Sequence, residues 1–553
     1  MPPSIQPILT TSAYYAPGVI STGTHLHVSG QPGTIDGVAP SDYNSQIHLA
    51  LVNLHRVIAA AGATPRDVVK LTLYIVNYDP NHRLHTRPLQ TWLAGHRPAI
   101  TLVPVPGLAV ADWLFEIEAT VVVPDDSSVP VPAPAPVEET DVLVIGAGLS
   151  GLMAAETVLQ AGHRCIVLEG RDRVGGKTWT SPLPSGDGVV DLGAAWINDT
   201  TQYMMAELAR RAGADLIEQN TVGNCVLQRE NGATTIFPYG TTPQSIPTIQ
   251  ITAEMQAEME AIRDIAEVDC QALDCARPRD ASLDSMSFLA YLHSRNATPA
   301  AVANASVWTR AMLGQEPQDV SALYMRSDRK HGAQYLRVRQ GTQIFAKTLA
   351  AALPQGTIRL GQRVTAITQK ERGVALVEAN GRVIRARQVI CSVPTPVLKS
   401  IAFDPPLPPK KQLLADSFRY GYYTKMMRAF RSAWWVDRGF CGLAQSFQGP
   451  ASIYRDTSVP ADGKHVLTAF LAGDAAGRHV RRPRLSGWGC PCPALPPGVL
   501  SAAGEALRAP FRDVHFVGTE TAEEWKGYME GAVRSGRRGA LEAVKWMGRR
   551  SNL

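Results

Sequence analysis

The chain has 553 residues, too many for one hydrophobic core, so two or three domains are expected. Its make-up, 45% apolar and 19% charged, is that of a globular protein. With 54 basic against 49 acidic residues the net charge is +5, and no block of like charges stands out, so no nucleic-acid partner is expected. No run of about 18 apolar residues predicts a membrane span. The opening MPPSIQPILT lacks the layout of a secretory signal. The eight Cys and 13 His show no metal-ligand spacing, so reduced thiols and no metal are expected.

In chain order, Leu26 and Val28 alternate with His25, His27 and Ser29, as in a half-buried strand. Ile47, Leu51, Leu54 and Ile58 recur at helical spacing, and Gly62 stops that helix. Val68–Val76 is β-rich, and Phe115, Ile117, Ala119 and Val121 alternate with Glu116, Glu118 and Thr120. This predicts an α+β domain over 1–123. Its pieces Val28-Ser29-Gly30-Gln31, Ala59-Ala60-Ala61-Gly62, Val68-Val69-Lys70-Leu71-Thr72 and Phe115-Glu116-Ile117-Glu118-Ala119 resemble the Rid (reactive intermediate deaminase) family. The resemblance implies a chorismate mutase-like fold, a trimer with clefts between subunits, and hydrolysis of enamines or imines. Gly30, Gln31 and Glu118 would line the cleft, with Glu118 orienting a water. Where the deaminases carry a carboxylate-clamping Arg, this chain has Ile100, which offers no two-donor fork. Amino-acid-derived imines are therefore poor candidates, and an inactive trimerisation module stays open.

Residues 124–140, PDDSSVPVPAPAPVEET, predict an extended linker. Then a buried strand, Val142 to Ile145, runs into Gly146-Ala147-Gly148-Leu149-Ser150-Gly151. A helix through Leu152, Ala155 and Leu159 ends at Gly162, and a second strand, Cys165 to Leu168, finishes at Glu169. The glycines allow a tight turn, close approach to a pyrophosphate and close helix packing. The helix N-terminus supplies amides for the phosphates, and Glu169 is placed for the ribose hydroxyls. This predicts a Rossmann-type dinucleotide site but does not choose between FAD and NAD.

The following blocks do. Gly170, Arg171-Asp172-Arg173-Val174-Gly175-Gly176-Lys177 and Asp191-Leu192-Gly193-Ala194-Ala195-Trp196 resemble the flavin amine oxidase family, with Lys177 in place of its usual Arg. So do Val364 in Arg363-Val364-Thr365, Val389-Ile390-Cys391-Ser392-Val393-Pro394, Phe516-Val517-Gly518-Thr519-Glu520-Thr521 and Trp525-Lys526-Gly527-Tyr528-Met529-Glu530. The last two resemble the monoamine oxidase branch, fungal members above all. The resemblance implies FAD, with Val364 at adenine, Glu520 at the diphosphate and ribitol, and Met529 at the pyrimidine. Lys425 would hold a water against flavin N5 and aid reaction with O2. Tyr528, beside Trp525, would form one wall of an aromatic cage. Cys490 stands where mammalian relatives attach flavin through sulfur, so covalent FAD stays open, with Cys492 a weaker alternative.

Two departures stand out. Pro491 occupies the position of the second cage aromatic, which Trp488 or another ring would have to replace. Between Asp474 and Trp488 the family's long helical stretch is reduced to a short segment at 476–487.

The expected organisation is thus a Rid-like domain, the linker, an α/β FAD-binding domain (141–215, 335–405 and 485–548), an interleaved α+β substrate domain (216–334 and 406–484), and a tail at 549–553. The expected reaction takes an amine and O2 to an imine, then an aldehyde or ketone, and H2O2. A homo-oligomer is expected, with the tether bringing imine to the Rid-like domain. Two alternatives stay open: a biosynthetic oxidase desaturating a C–N or C–C bond of an alkaloid-type metabolite, and an impaired variant acting as an oligomeric binding module. The ending Ser551-Asn552-Leu553 resembles the peroxisomal Ser-Lys-Leu address, so a cytoplasmic or peroxisomal location is expected.

Overall fold

The computed structural model describes residues 4–8, 16, 18–35, 37–124, 138–184, 186, 188–229, 231–239, 281–326, 335–371, 373–449, 451–474 and 492–550. The N-terminal domain runs β1 (Thr24–Pro32), α1 (Tyr43–Ala60), β2 (Val68–Val76), α2 (Thr86–Leu93), β3 (Ala99–Val105) and β4 (Phe115–Val123). Its sheet has the order β1–β4–β2–β3, antiparallel except for β2 against β3. The period-2 alternation of β4 turns Phe115, Ile117, Ala119 and Val121 onto Ile47, Leu51, Leu54 and Ile58 of α1. Asp42 caps α1, its carboxylate accepting from the Ser45 amide at 2.8 Å.

The rest of the chain begins with β5 (Glu138–Ile145), α3 (Leu149–Gln160) and β6 (Cys165–Leu168). A hairpin of β7 (Asn224–Gln228) and β8 (Thr234–Pro238) follows. Next come β9 (Ile358–Arg359), β10 (Val364–Glu371), β11 (Val374–Ala379), β12 (Arg382–Cys391), β13 (Ala402–Asp404) and α4 (Pro409–Ser417). After them stand β14 (Tyr423–Phe430), β15 (Phe440–Ser446), β16 (Ala451–Asp456) and β17 (His465–Ala472). The chain closes with α5 (Val499–Ala503), β18 (Val514–Phe516) and α6 (Met529–Arg550).

Two sheets organise this body. One runs β9–β6–β5–β12–β11–β10–β13, with β18 added parallel to β12. Within it β9, β6, β5 and β12 are parallel, and α3 and α6 pack on the sheet with Val142, Val144, Leu152, Ala155 and Val533 in one core. The other runs β8–β7–β15–β16–β17–β14 and is antiparallel except for β7 against β15. Strand β5 starts earlier than the composition suggests. Glu138, Glu139 and Thr140 pair with Ile384, Arg385 and Ala386 and so belong to the sheet, not to the linker. Ion pairs from Arg359 to Glu138 and from Arg385 to Glu139 hold that end.

The two parts are not merely tethered. Helix α1 is buried almost all round, Ser45, Gln46, His48 and His55 included, which marks a helix covered on both sides. Val52 joins Leu413, Leu414, Leu495, Val499 and Leu500 in one buried cluster, and full burial of one such side chain contributes about 1.5–3 kcal/mol. Leu49 packs onto Gly498, where a β-carbon would stand 2.4 Å from its side chain. Several polar groups across this seam are paired. Trp92 Nε1 donates to His55 Nδ1 at 3.2 Å, and His55 Nε2 is left to donate to Asp416 at 3.1 Å. Asn44 donates to the Gln318 carbonyl at 2.6 Å, and the Ser287 amide donates to Ser45 Oγ at 2.9 Å. Arg87 pairs with Asp319 at 2.6 Å and also with Asp474, at the end of β17. The short 476–487 segment, with Trp488, Cys490 and Pro491, lies outside the described residues. The apolar layer of α4 and α5 is covered by α1.

Candidate active site

Backbone approach shapes the nucleotide site. Strand β5 ends at Gly146, whose φ of +100° suits a residue without a β-carbon. Gly148 caps α3, and a β-carbon on Gly151 would fall 1.9 Å from the Gly146 carbonyl oxygen. Leu149 and Ser150 open α3, leaving its first amides free of intrahelical partners for an anion. The Ser150 hydroxyl meets that of Ser535, which also accepts from the Gly518 amide. Glu169, at the end of β6, accepts from the Ala147 amide at 2.7 Å and the Arg171 amide at 2.9 Å. One carboxylate therefore ties the two glycine turns together. Gly170 sits 3.7 Å, by its missing β-carbon, from Arg363, so Val364 starts β10 beside this end of the site.

The second turn closes over the first. The Gly175 amide donates to the Ala147 carbonyl at 2.8 Å, and Gly176 faces Gly148. A β-carbon on Gly193 would meet the Lys177 carbonyl oxygen at 1.9 Å, and the Ala194 amide donates to that same oxygen. Lys177 reaches Glu520 at 3.5 Å and lies 5.3 Å from the Tyr420 ring. This links the glycine turns to the Gly518-Thr519-Glu520 loop, where Glu520 is buried. Thr519 donates to the Tyr528 carbonyl at 2.9 Å. Buried Met529 opens α6, and Glu530 accepts from the amides of Met204 and Met205.

Lys425 leaves β14 for the interior. Its ammonium donates to the carbonyls of Asp191, at 3.2 Å, and Gly193, and lies 5.3 Å from the Trp196 ring and 5.8 Å from Phe470. Burial lowers it to about 8, against the pull of Asp191. Trp196 in turn donates to Gln219 at 3.0 Å, and Phe470 touches both Trp196 and Tyr423. Trp525 and Tyr528 meet edge to face at 5.3 Å, and Trp525 takes a left-handed backbone at φ +56°.

At Gly151, Gly175 and Gly193 a β-carbon would overlap a backbone oxygen, and the buried Tyr420 hydroxyl faces Lys177. A backbone-lined cradle, an acid joining its two turns and a buried hydroxyl facing Lys177 fit a dinucleotide with a polar ring system.

Residues 149–484 and 486–544 match the family described as flavin containing amine oxidoreductase. The chain belongs to that family. Residues 6–123 match the family described as endoribonuclease L-PSP, so the protein is a fusion of a Rid domain with a flavin amine oxidoreductase domain. The oxidoreductase domain is 33% identical over 454 residues to a putative flavin-containing monoamine oxidase of Mycobacterium tuberculosis, covering 73% of this chain and 96% of that one. It is 26% identical over 457 residues to pig flavin-containing amine oxidase A, covering 74% and 86%. Among solved structures, putrescine oxidase superposes with a TM-score of 0.68 at 23% identity, covering 74% of this chain and all of that one. Cyclohexylamine oxidase from Brevibacterium oxydans gives 0.67 at 24%, covering 74% and 99%. The protein is an FAD-dependent amine oxidase.

Several residues of the oxidase site have roles that no sequence reading assigned them. Asp191 accepts from Thr180 and Thr342 and so fixes the loop whose carbonyls hold Lys425. Phe470 comes from β17 and Tyr420 from the segment before β14, and nothing in sequence marked either. Lys526 lies 3.9 Å from the Tyr324 ring, and the Tyr324 hydroxyl donates to the Pro493 carbonyl. Cys492 is buried in the helical cluster with Leu413 and Phe418, where it packs as a small apolar side chain. In the Rid domain, Gly30 faces Glu116 so closely that a β-carbon would overlap its carboxylate. Gln31 turns back onto the Ser29 and Gly30 carbonyls, and Glu118 stands opposite Thr72 on the outward side of the sheet. Ile100 packs against the domain core.

Proposed function

We propose that the oxidase takes a neutral amine between its aromatic walls and dehydrogenates it to an imine, with O2 reduced to H2O2. The relatives' names, monoamine oxidase and amine oxidase A, support a small monoamine. The single observation that carries the reading is Lys425: a buried ammonium fixed on the Asp191 and Gly193 carbonyls, beside Trp196 and Phe470, and next to the glycine cradle. When bound, FAD supplies the two-electron acceptor and the site of reaction with oxygen. Gly146, Gly148, Gly151, Gly175, Gly176 and Gly193 admit it, Glu169 takes the ribose, and Lys177 with Glu520 flanks the chain between its rings. Lys425 holds positive charge where oxygen gains electrons. Trp525 and Tyr528 guide the amine and keep water out.

The nucleotide sheet is read as Rossmann-type, and the Rid domain as chorismate mutase-like. The Rid domain spends its helical face on the oxidase and keeps its polar sheet face, with Thr72, Tyr74, Glu116 and Glu118, for other copies of the chain. No carboxylate-clamping Arg stands at position 100, so the cleft with Gln31 and Glu118 suits a neutral imine. The test is turnover of an amine panel followed by peroxide, with the carbonyl product identified by mass. Peroxide and an aldehyde or ketone support the reading; no peroxide from any amine with flavin present contradicts it.

A further inference from the structure

Cys225 in β7 and Cys441 in β15 play no part in the site above. Their Sγ atoms are 3.6 Å apart, and the side chains are 2% and 1% exposed. They sit at a break in the strand register. Asn224 pairs with Phe440 and Val226 with Ala444, so Cys225 faces the bulge Cys441-Gly442-Leu443. Gly442 holds the bulge at φ +79°, where a β-carbon would strike Asp456. Neighbouring strands lie about 4.8 Å apart, within the reach of a disulfide between facing cysteines. The hairpin that carries Cys225 is shallow, since Val222 and Tyr239 beside it are exposed.

We propose that Cys225 and Cys441 form a peroxide-sensitive dithiol that closes to a disulfide when the oxidase turns over. The oxidant is the H2O2 that the oxidase releases, made roughly 15–20 Å away across the sheet at the β14 edge. The Cys441 sulfur attacks peroxide; one O–O bond breaks, a sulfenic acid forms and one water leaves. The Cys225 sulfur then displaces the second oxygen as water, and an S–S bond forms. In sum, two thiols and one H2O2 give one disulfide and two waters.

The surroundings assign the roles. A hydrogen bond from the Cys225 thiol holds Cys441 below the usual thiol range, and the Arg455 guanidinium draws it further down. Cys225 is pushed up by its bond to Cys441 and by burial. When protonated, Cys441 donates to the Asn224 carbonyl at 3.3 Å. Cys165 and Cys391 differ, because burial pushes their thiols up to about 12 and about 11. The low thiol is the attacking one, and its neighbour resolves the sulfenic acid before further oxidation.

The experiment uses the full-length holoenzyme. One arm adds H2O2 without amine; the other supplies amine and air, with and without catalase. Trypsin then releases Cys225 in residues 212–229 and Cys441 in residues 439–455. The expected result is a cross-linked pair of these peptides, lost on reduction, with alkylation of both cysteines down about tenfold and Cys165 unchanged. Cys225→Ser should leave a dimedone-reactive Cys441, and Cys441→Ser should leave Cys225 unreacted. Free, alkylatable Cys225 and Cys441 after peroxide has consumed added glutathione would overturn the proposal, as would sulfinic acid without a cross-link. Cross-linking by added peroxide but not by amine turnover would overturn the link to turnover and leave the pair a peroxide-reactive dithiol only.

Discussion

The nucleotide cradle and the seam under α1 are both buried and both tied by charged side chains, yet they are built in opposite ways. In the cradle, Gly146, Glu169 and Gly176 lie close together in the chain, and one carboxylate joins two turns through backbone amides. At the seam, His55 and Asp416 are 361 residues apart, and each partner is useless without the other domain. At Gly151 and Gly193 the cradle tolerates no added carbon, because backbone stands against backbone. The seam tolerates no lost partner, because the buried Asp416 carboxylate would lose its His55 donor. A fused domain of the first kind would be a passenger on a linker; the second kind makes the Rid domain part of the oxidase.

Substitutions that sharpen this contrast differ in size. The largest effect is expected from Gly151→Val in the cradle, where the first added carbon already meets the Gly146 carbonyl oxygen at 1.9 Å. Flavin bound per protein, read from the absorbance ratio, should fall by more than about tenfold. At the seam, Val52→Asp places an unpaired charge among Leu413, Leu495 and Val499 and should cost about 3 kcal/mol in a denaturant titration. Flavin release should follow the same shifted midpoint. If flavin release keeps its midpoint while the Rid domain unfolds alone, the seam is not integral to the oxidase. By comparison, Glu118→Gln, on the outward side of the Rid sheet, should change the midpoint by less than about 0.5 kcal/mol.

Within the oxidase site, Lys425→Met should slow the reaction of reduced enzyme with oxygen about a hundredfold, with reduction by amine changed much less. Stopped-flow separates the two halves. The same lysine sets a pH dependence. Burial lowers the ammonium from 10.5 to about 8, so the cation is present below that pH and lost above it. The oxygen rate constant of the wild type should therefore fall as pH rises through about 8, and the variant should lack that limb. Within the oxidase site the smaller effect belongs to Tyr528→Leu, about tenfold in kcat/KM for amine, since one face of the aromatic wall remains.

The legibility of the sequence follows the same contrast. The run from Val142 to Glu169 carried its own strand, turn, helix and acid, and each falls where the spacing puts it. The flavin blocks around Gly176, Gly193 and Gly518 were readable because close backbone contact or a positive φ demands glycine at each. Helix α1 was readable on one face only. Ile47, Leu51, Leu54 and Ile58 give the face toward its own sheet, whereas Leu49, Val52 and His55 needed a partner that sequence order does not reveal. The start of β5 at Glu138 was hidden because two acids look like linker until Arg359 and Arg385 stand opposite. Tyr420 and Phe470 were invisible for the same reason: their role is conferred by Lys177 and Trp196, which arrive from other segments.

The central claim, an FAD cradle coupled to an amine site at Lys425, is tested most directly by mixing the purified protein with a panel of amines without oxygen and following the oxidised-flavin absorbance. The expected result is bleaching by at least one neutral amine, then full recovery on admitting air with one H2O2 released per flavin. A protein that purifies without flavin, or a flavin band that no amine bleaches, would contradict it.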